Sequence, residues 1–552
     1  MEKQISDVVK KVFGIDADVV MTRPDAQFGD YATNVALQIA KPLGKNPRDV
    51  AEEIATELRN NEDFTEVSVA GPGFINIRLG DAALLRQVYT RPKKIYDGQT
   101  IVAEYSDPNP FKVLHAGHLY TTLVGDAISR LLAVGGGIVH RVNFGGDVGP
   151  HVAMNMWAII RLFGGEHPEK LSEITTDLHE RAAWLAARYV EGRAAYDSDE
   201  AAKNEILALN KRIYELHAHD DHDSAFAKIY WECRQWSYDY FALLYDELGV
   251  LPFEKYYPES MTTPTGVETV ERELKNGVYE KSDGAVVFKG EPYGLHTRVF
   301  INSQGLPTYE AKDVGLIMQK WADYHFDLSI IITGDDITEY MKVVQKSIEQ
   351  FEPELVARSK HLTHGNLKLT GGRKMSSRKG EVLLALDVLQ AARQAQMSQH
   401  EIANEVVALG AVKYAFLRNK IGGEIIYNPE ESVSLQGNSG PYLQYAHARA
   451  RRILEKATTE FSMPRELYDE DYALVRKLSE YHEVVNVATR TLEPHHICNY
   501  LFELAQEFNR YYEKNQVVGS DKEAHRISLV ALYADILQAG LAILGITAPE
   551  KM

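Results

Sequence analysis

The chain has 552 residues, 45% of them hydrophobic and 25% charged, with a formal net charge of −18. Its length predicts three or four domains of about 150 residues each, and its composition is that of an ordinary soluble globular protein. Two cysteines, Cys233 and Cys498, exclude a disulfide framework and argue against a Cys-rich zinc site. No apolar run reaches membrane-spanning length, and the opening MEKQISDVVKKVFG lacks the apolar stretch of a signal peptide, so the expected location is the cytoplasm with no membrane partner. The acidic total argues against nucleic acid as a partner, because phosphate neutralisation needs Lys and Arg. A whole-chain sum, however, does not describe one local face.

In chain order, residues 1–92 predict a small α+β domain. A helical start leads into FGDYATNVALQIAK (28–41), and helical spacing runs over 47–60. EVSVAGPGFINIRL (66–79) reads as two short strands around a Gly-Pro-Gly turn. The polar stretch 93–99 is a linker. Next, IVAEYS is an apolar strand, HAGHLYTTLVGDAISRLLAV a long amphipathic helix, GIVHRVNF a second strand, and GGDVGPHVAMNMWAII the start of a second helix. This β–α–β order implies a parallel, doubly wound sheet. Residues 165–250 have helical periodicity and few breakers, and read as a helical insertion. Strand signals return at GAVVF (284–288), RVFIN (298–302), LSIIITG (328–334) and HLTHGNLKL (361–369), and are assigned to the second half of the same sheet. Past about residue 400 they fade. The expected fold is therefore α/β: a Rossmann-like, doubly wound parallel-sheet core over 93–400, a small α+β domain over 1–92 and an all-α domain over 401–552. No internal repeat is evident.

Two segments carry chemistry. His115-Ala116-Gly117-His118 follows a strand and opens a helix. A helix N-terminus offers unpaired N–H groups and the positive end of a dipole to phosphate. Both imidazoles can donate to phosphate oxygens, and Gly117 leaves room for a flat base against the backbone. The preceding Ser106-Asp107-Pro108-Asn109-Pro110 is polar, and its prolines disfavour continued strand or helix. It lines the carboxyl ends of the strands, where doubly wound folds bind ligands. Two surface histidines, or half a zinc site, are the plain alternatives; zinc needs further ligands, and none stands out nearby. The second segment, 370–380, is TGGRKMSSRKG, a glycine-flanked loop with four cations and two serines. It can close on a polyphosphate, or simply be a solvated basic turn.

Taken together, HAGH and KMSSR resemble the paired HIGH and KMSKS motifs of class I aminoacyl-tRNA synthetases. The resemblance sharpens to the arginyl-tRNA synthetase family and covers nearly the whole chain. FGDYATNVALQIAK resembles that family's N-terminal domain, AEYSDPNPFKVLHAGHL its first signature, and GDAISRLL with NFGGDVGPH the helix and loop after it. LPTYEAKDVG resembles its arginine-binding segment, and GAVKYAFL with NSGPYLQYAHARARRIL the entry to its anticodon-binding domain. It implies activation of arginine by ATP–Mg²⁺ to an adenylate, then transfer to the 3′ end of tRNA(Arg), with pyrophosphate and AMP released. It implies a monomer, with no bound zinc.

Carried over by resemblance, His115, His118 and Lys374 are the catalytic residues, and Gly117, Met375, Ser376 and Arg378 join them on ATP. A guanidinium group is planar with five donors and wants carboxylates in a fitting slot. Tyr309 and Asp313, at i and i+4, are its candidates. Glu104 and Asn109 hold the ammonium end, with Asp107 nearby and Glu259 bordering the same pocket. Arg449, Arg451 and Arg452 on a predicted helix, with Tyr511, are candidates for tRNA contact; a solvated basic face is the plain alternative. The chain departs from the family's pattern at Tyr120 (usually Arg), at Ile337 and Tyr340 (usually Gln and His), and at Ser377 (usually Lys). A synthetase-like protein that binds tRNA or ATP without charging is the competing function. The intact histidine pair, Lys374 and the flanking domains favour the enzyme.

Overall fold

The computed structural model describes residues 1–370, 383–399, 404–459, 464 and 466–552. The N-terminal unit contains α1 (Glu2–Phe13), β1 (Met21–Thr22), β2 (Tyr31–Thr33), α2 (Val35–Leu43), α3 (Pro47–Leu58), β3 (Phe64–Ala70), β4 (Phe74–Leu79) and α4 (Asp81–Val88). Its antiparallel sheet runs β1-β2-β4-β3. Asn46 caps α3 by accepting from the Arg48 N–H (2.9 Å), with Pro47 at the first helical position, where its missing N–H costs nothing. At Gly73 φ is 141° and a Cβ would lie 2.9 Å from the Pro47 carbonyl oxygen, so the β3–β4 turn needs glycine there.

The central unit begins with β5 (Thr100–Glu104), α5 (Ala116–Val134), β6 (Ile138–Gly145) and α6 (Pro150–Phe163). The helical insertion follows as α7 (Leu178–Ser198), α8 (Glu200–Ala218) and α9 (Ala225–Glu247), and then β7 (Lys255–Pro258) and α10 (Glu259–Lys275). After them come β8 (Glu280–Ser282), β9 (Ala285–Phe288), β10 (Arg298–Ile301), α11 (Tyr309–Tyr324), β11 (Leu328–Gly334), α12 (Thr338–Glu349), α13 (Pro353–Ala357), β12 (Ser359–His364) and β13 (Leu367–Leu369). The main sheet is parallel, in the order β12-β11-β5-β6-β7. From β5 the chain first winds one way through β6 and β7, then returns to the other side of β5 with β11 and β12. The crevice at the carboxyl ends of β5 and β11 is therefore the topological switch point, where such sheets bind ligands.

GAVVF and RVFIN do not join this sheet. They form β9 and β10 of a separate antiparallel sheet, β10-β9-β8. The connection from Phe288 to Arg298 is shorter than the dozen residues a parallel crossover requires. HLTHGNLKL also divides, into β12 and β13, and β13 pairs in parallel with β14 (Ile425–Tyr427), a strand inside the region read as helical. The remaining helices are α14 (Ala385–Gln399), α15 (Glu405–Leu417), α16 (Pro429–Ser432), α17 (Gly440–Glu455), α18 (Tyr472–Ser479), α19 (Tyr481–Thr491), α20 (His495–Lys514) and α21 (Glu523–Ile543). Against the sequence reading, α21 is long and apolar enough to cross a membrane, but 72% of its apolar window is buried, as in the core helix of a bundle.

Close contacts join elements far apart in the chain. α10 and α11 touch backbone to backbone: a Cβ on Gly266 would fall 2.0 Å from the Ala311 carbonyl oxygen, and one on Gly315 would fall 2.1 Å from that of Thr262. Elsewhere, Arg23 forks onto Glu483 (3.0 and 3.1 Å), Tyr31 donates to the same carboxylate, and Tyr472 donates to the buried Asp30 (2.6 Å). These contacts tie the N-terminal unit to α18 and α19.

Candidate active site

The chain leaves β5 through a loop held in an uncommon conformation. Ser106, Asp107 and Phe111 all have positive φ (76°, 49° and 66°). Side chains hold it there. Asp107 Oδ1 accepts the Phe144 N–H (2.8 Å), Asn109 Oδ1 accepts the Gly146 N–H (2.7 Å), and the Phe111 N–H donates to Ser237 Oγ (2.9 Å). The loop delivers His115 as the N-cap of α5. His115 Nδ1 accepts from the N–H groups of Gly117 (3.1 Å) and His118 (3.3 Å), while His118 Nδ1 accepts from the N–H of His115 (3.3 Å). The two rings stack with centroids 3.7 Å apart.

This reciprocal cap fixes the chemistry of both rings. Burial, then the charge of Lys112, lowers His115 to about 4; burial, then His115 itself, holds His118 well below its ordinary value. Both are neutral at physiological pH. Since each Nδ1 accepts a backbone hydrogen, each ring carries its proton on Nε2. The half-buried pair thus presents two N–H donors at the positive end of a helix dipole.

Carboxylates and lysines line the other side of the crevice. Glu104, at the end of β5, is buried against the fully buried Lys320 of α11. Glu259, the first residue of α10, pairs with Lys312 (2.5 Å), and burial raises its carboxyl despite the lysine. Gly146 is pinched between Asn109 Oδ1 and the Glu259 carboxylate, 2.7 and 3.1 Å from where its Cβ would stand. Asp313 of α11 is 8% exposed, and its carboxylate accepts the Tyr340 phenol from α12. Burial raises Asp313 to about 7, with the Tyr340 hydrogen bond opposing. Asp107 is raised well above the carboxylate range by enclosure and then by the charge of Glu104. Tyr309 begins α11 and is 57% exposed, so it sits at the rim while Asp313 lies on the floor.

The sequence reading named neither Lys312 nor Lys320, nor Lys112, whose Nζ stands 4.8 Å over the Tyr189 ring. Lys112 and Lys312 fall inside quoted motif stretches, which was the available signal; Lys320 had none. Lys374, Met375, Ser376, Ser377 and Arg378 lie outside the described residues. Tyr120 is buried, with its ring against His364 (4.3 Å) and Phe416 (5.7 Å), so this departure lies in the core. Ile337 sits in the 3₁₀ turn that precedes α12.

On the helical domain, Arg449, Arg452, Lys456, Tyr512 and Lys514 line a groove of about 630 Å³. The Arg449 guanidinium lies 4.6 Å over the Tyr512 ring, while Arg451 is paired with Glu550 (3.2 Å). Tyr511 does not reach this surface. It is 4% exposed and donates to Asp471 (3.1 Å), so the ring that lines the groove is its neighbour Tyr512, one helical step around. Among the described residues one possible metal cluster occurs, Glu493, His495 and His496 at the start of α20, where Glu493 already pairs with His496 (3.1 Å) and Lys420 (3.5 Å).

Three family models match in succession: an arginyl tRNA synthetase N-terminal domain over residues 1–79, a tRNA synthetases class I (R) catalytic domain over 81–428, and a DALR anticodon binding domain over 443–552. The chain is 28% identical to the arginine–tRNA ligase of Porphyromonas gingivalis, covering 100% of this chain and 99% of that protein. It is 31% identical to that of Thermobifida fusca, covering 97% and 96%. Among solved structures, the arginyl-tRNA synthetase of Thermus thermophilus superposes with a TM-score of 0.81 at 25% identity, covering 100% and 99%. That of Plasmodium falciparum superposes with 0.78 at 20% identity, covering 100% and 98%, a likeness of fold.

Proposed function

The chain belongs to the class I arginyl-tRNA synthetases and joins arginine to tRNA at the expense of ATP, and from that premise we propose how its residues divide the work. The arginine carboxylate attacks the α-phosphate of ATP and pyrophosphate leaves. A terminal ribose hydroxyl of the tRNA then attacks the adenylate carbonyl and AMP leaves. Neither step needs a covalent enzyme intermediate, so the protein contributes alignment and charge stabilisation.

His115 and His118 donate Nε2–H to the ATP phosphates as negative charge shifts toward pyrophosphate, with the adenine over Gly117. Lys374, with Met375, Ser376 and Arg378, closes on the same phosphates, and Mg²⁺ enters with ATP as part of the substrate. Asp313, with Tyr309 at the rim, receives the guanidinium group. Glu104 and Asn109 hold the ammonium end, with Asp107 and Glu259 bordering the pocket. Arg449 and Arg452, with Arg451 beside them, meet the tRNA backbone, and Tyr512 stacks on an unpaired base. The three domains, 1–92, 93–400 and 401–552, act as one cytoplasmic monomer.

The observation that carries this assignment is the reciprocal histidine cap, which consumes both Nδ1 atoms and leaves each neutral ring an Nε2–H to donate at the head of α5. The test is aminoacylation of total tRNA with ATP–Mg²⁺ and each of the twenty amino acids in turn. Charging by arginine alone is expected. Charging by another amino acid would overturn the assignment of the pocket, and tRNA binding without charging would overturn the assignment of the reaction.

A further inference from the structure

The antiparallel sheet β8–β10 reaches the arginine pocket through one side chain. Arg298 of β10 pairs with Glu310 of α11 (Nη1–Oε1, 3.1 Å) and lays its guanidinium 5.3 Å over the ring of Tyr340. Tyr340, on α12, turns its hydroxyl to Asp313 Oδ2. Asp313 of α11 thus takes its partner from α12, and β10 braces that partner's ring. The phenol has one hydrogen to give, and Asp313 takes it.

We propose that Tyr340 is a positioning residue for arginine: its hydroxyl pins the Asp313 carboxylate in the orientation that meets a guanidinium group, and so sets the preference of the pocket. This rests on the reading that Asp313 receives the guanidinium. A carboxylate offers about four lone-pair sites. With one filled by Tyr340, rotation of the group is restrained, and the sites left open keep a fixed orientation. A planar fork of N–H donors matches such a fixed acceptor, whereas a lysine ammonium, a point charge on a flexible stem, gains less from it. At this position the chain departs from its family's usual histidine, and the phenol fills the role of a donor anchored from outside the pocket.

The same hydrogen bond favours the ionised carboxylate against its surroundings. Asp313 is faced by Glu104 and Asp107 from β5 and its loop, by Glu259 from α10, and by Lys320 on its own helix. Lys312 is matched to Glu259, and Arg298 to Glu310. Burial and the acidic neighbours push its ionisation toward neutrality; Tyr340 and Lys320 pull it down.

The test is Tyr340→Phe in the full-length protein, which keeps the ring under Arg298 and removes only the hydroxyl. In tRNA charging, kcat/KM for arginine should fall about 10- to 100-fold, carried by KM, as expected for one hydrogen bond to a charged group. KM for ATP should stay in place. The acid limb of kcat/KM, which reports the free enzyme, should move to higher pH. If the substitution lowers the melting midpoint, 3-fluorotyrosine at 340, a stronger donor of nearly the same shape, should move that limb to lower pH. An unchanged KM for arginine with an unmoved limb overturns the proposal. A wild-type protein that does not charge arginine would instead overturn the underlying reading of the site.

Discussion

Asp313→Asn should make the unliganded protein more stable while removing its function, and the two effects have one cause. Asp313 is 8% exposed, and burial moves its ionisation from 3.8 to about 7. A folded-state value above the unfolded one means that the folded chain holds the proton more tightly, so ionisation works against folding. The cost is absent below about pH 4, grows between about pH 4 and 7, and is complete above about 7, where it reaches about 4 kcal/mol. Asparagine removes the titration and still offers an oxygen to Tyr340. The catalytic domain of the variant should therefore melt several degrees higher than wild type at pH 8 in scanning calorimetry, with less than half of that gain at pH 5. Arginine at saturation should raise the wild-type midpoint and leave the variant's in place. Losing the partner of a buried charge pair costs about 2 to 5 kcal/mol, so kcat/KM for arginine should drop between about 30-fold and several thousand-fold. A variant that melts below wild type at pH 8, a gain that does not depend on pH, or an undiminished kcat/KM would each refute the reasoning.

His118→Asn removes one of the two Nε2–H donors and should lower the kcat of charging by about 10²- to 10³-fold, the usual loss for one donor to transition-state charge, with KM for arginine little changed in steady-state aminoacylation. Lys320→Met strands the buried Glu104 carboxylate and should cost about 3 to 5 kcal/mol, read as a lowered midpoint of the catalytic domain at neutral pH. Arg449→Ala should raise KM for tRNA but not for ATP, and should flatten the salt dependence of tRNA binding by about one phosphate contact, measured by filter binding at several salt concentrations.

The first β–α–β turn was legible because buried parallel strands read as unbroken apolar runs and the helix between them opens with a polar, glycine-bearing cap. The pairing partner of a four-residue apolar run is not written in the run, which is why β9 and β10 were assigned to the wrong sheet although both are strands. β14 has three residues and one partner, too little pattern to read. The strand–helix pattern pointed to His115 and His118 at the crevice and the family resemblance to Asp313, yet neither carried a sign of Lys320, whose meaning depends on a carboxylate 216 residues earlier in the chain. Tyr511 and Tyr512 differ by one helical step. Composition sees two tyrosines, and only packing decides which one meets Asp471 and which meets solvent.

The charges at the switch point carry the synthesis furthest. Four enclosed carboxyl groups stand around the crevice floor: Glu104, Asp107, Glu259 and Asp313. A buried carboxylate without a counter-ion is costly, and the fold supplies two lysines for the four, Lys320 to Glu104 and Lys312 to Glu259. Among the described residues no cation pairs with Asp107 or Asp313, and both are pushed up by burial and by their acidic neighbours. The unliganded site is thus short of positive charge at two points. An arginine zwitterion brings two cations on one chain, the α-ammonium and the guanidinium, with a carboxylate that must instead be turned toward ATP and the neutral donors of His115 and His118. An amino acid with a neutral side chain would leave one of the two acids unmatched. On the proposed reading of the pocket, the preference for a cationic side chain follows from the charges that the fold leaves unpaired, while Glu104, matched to Lys320 through one oxygen, keeps the other for the ammonium beside Asp107.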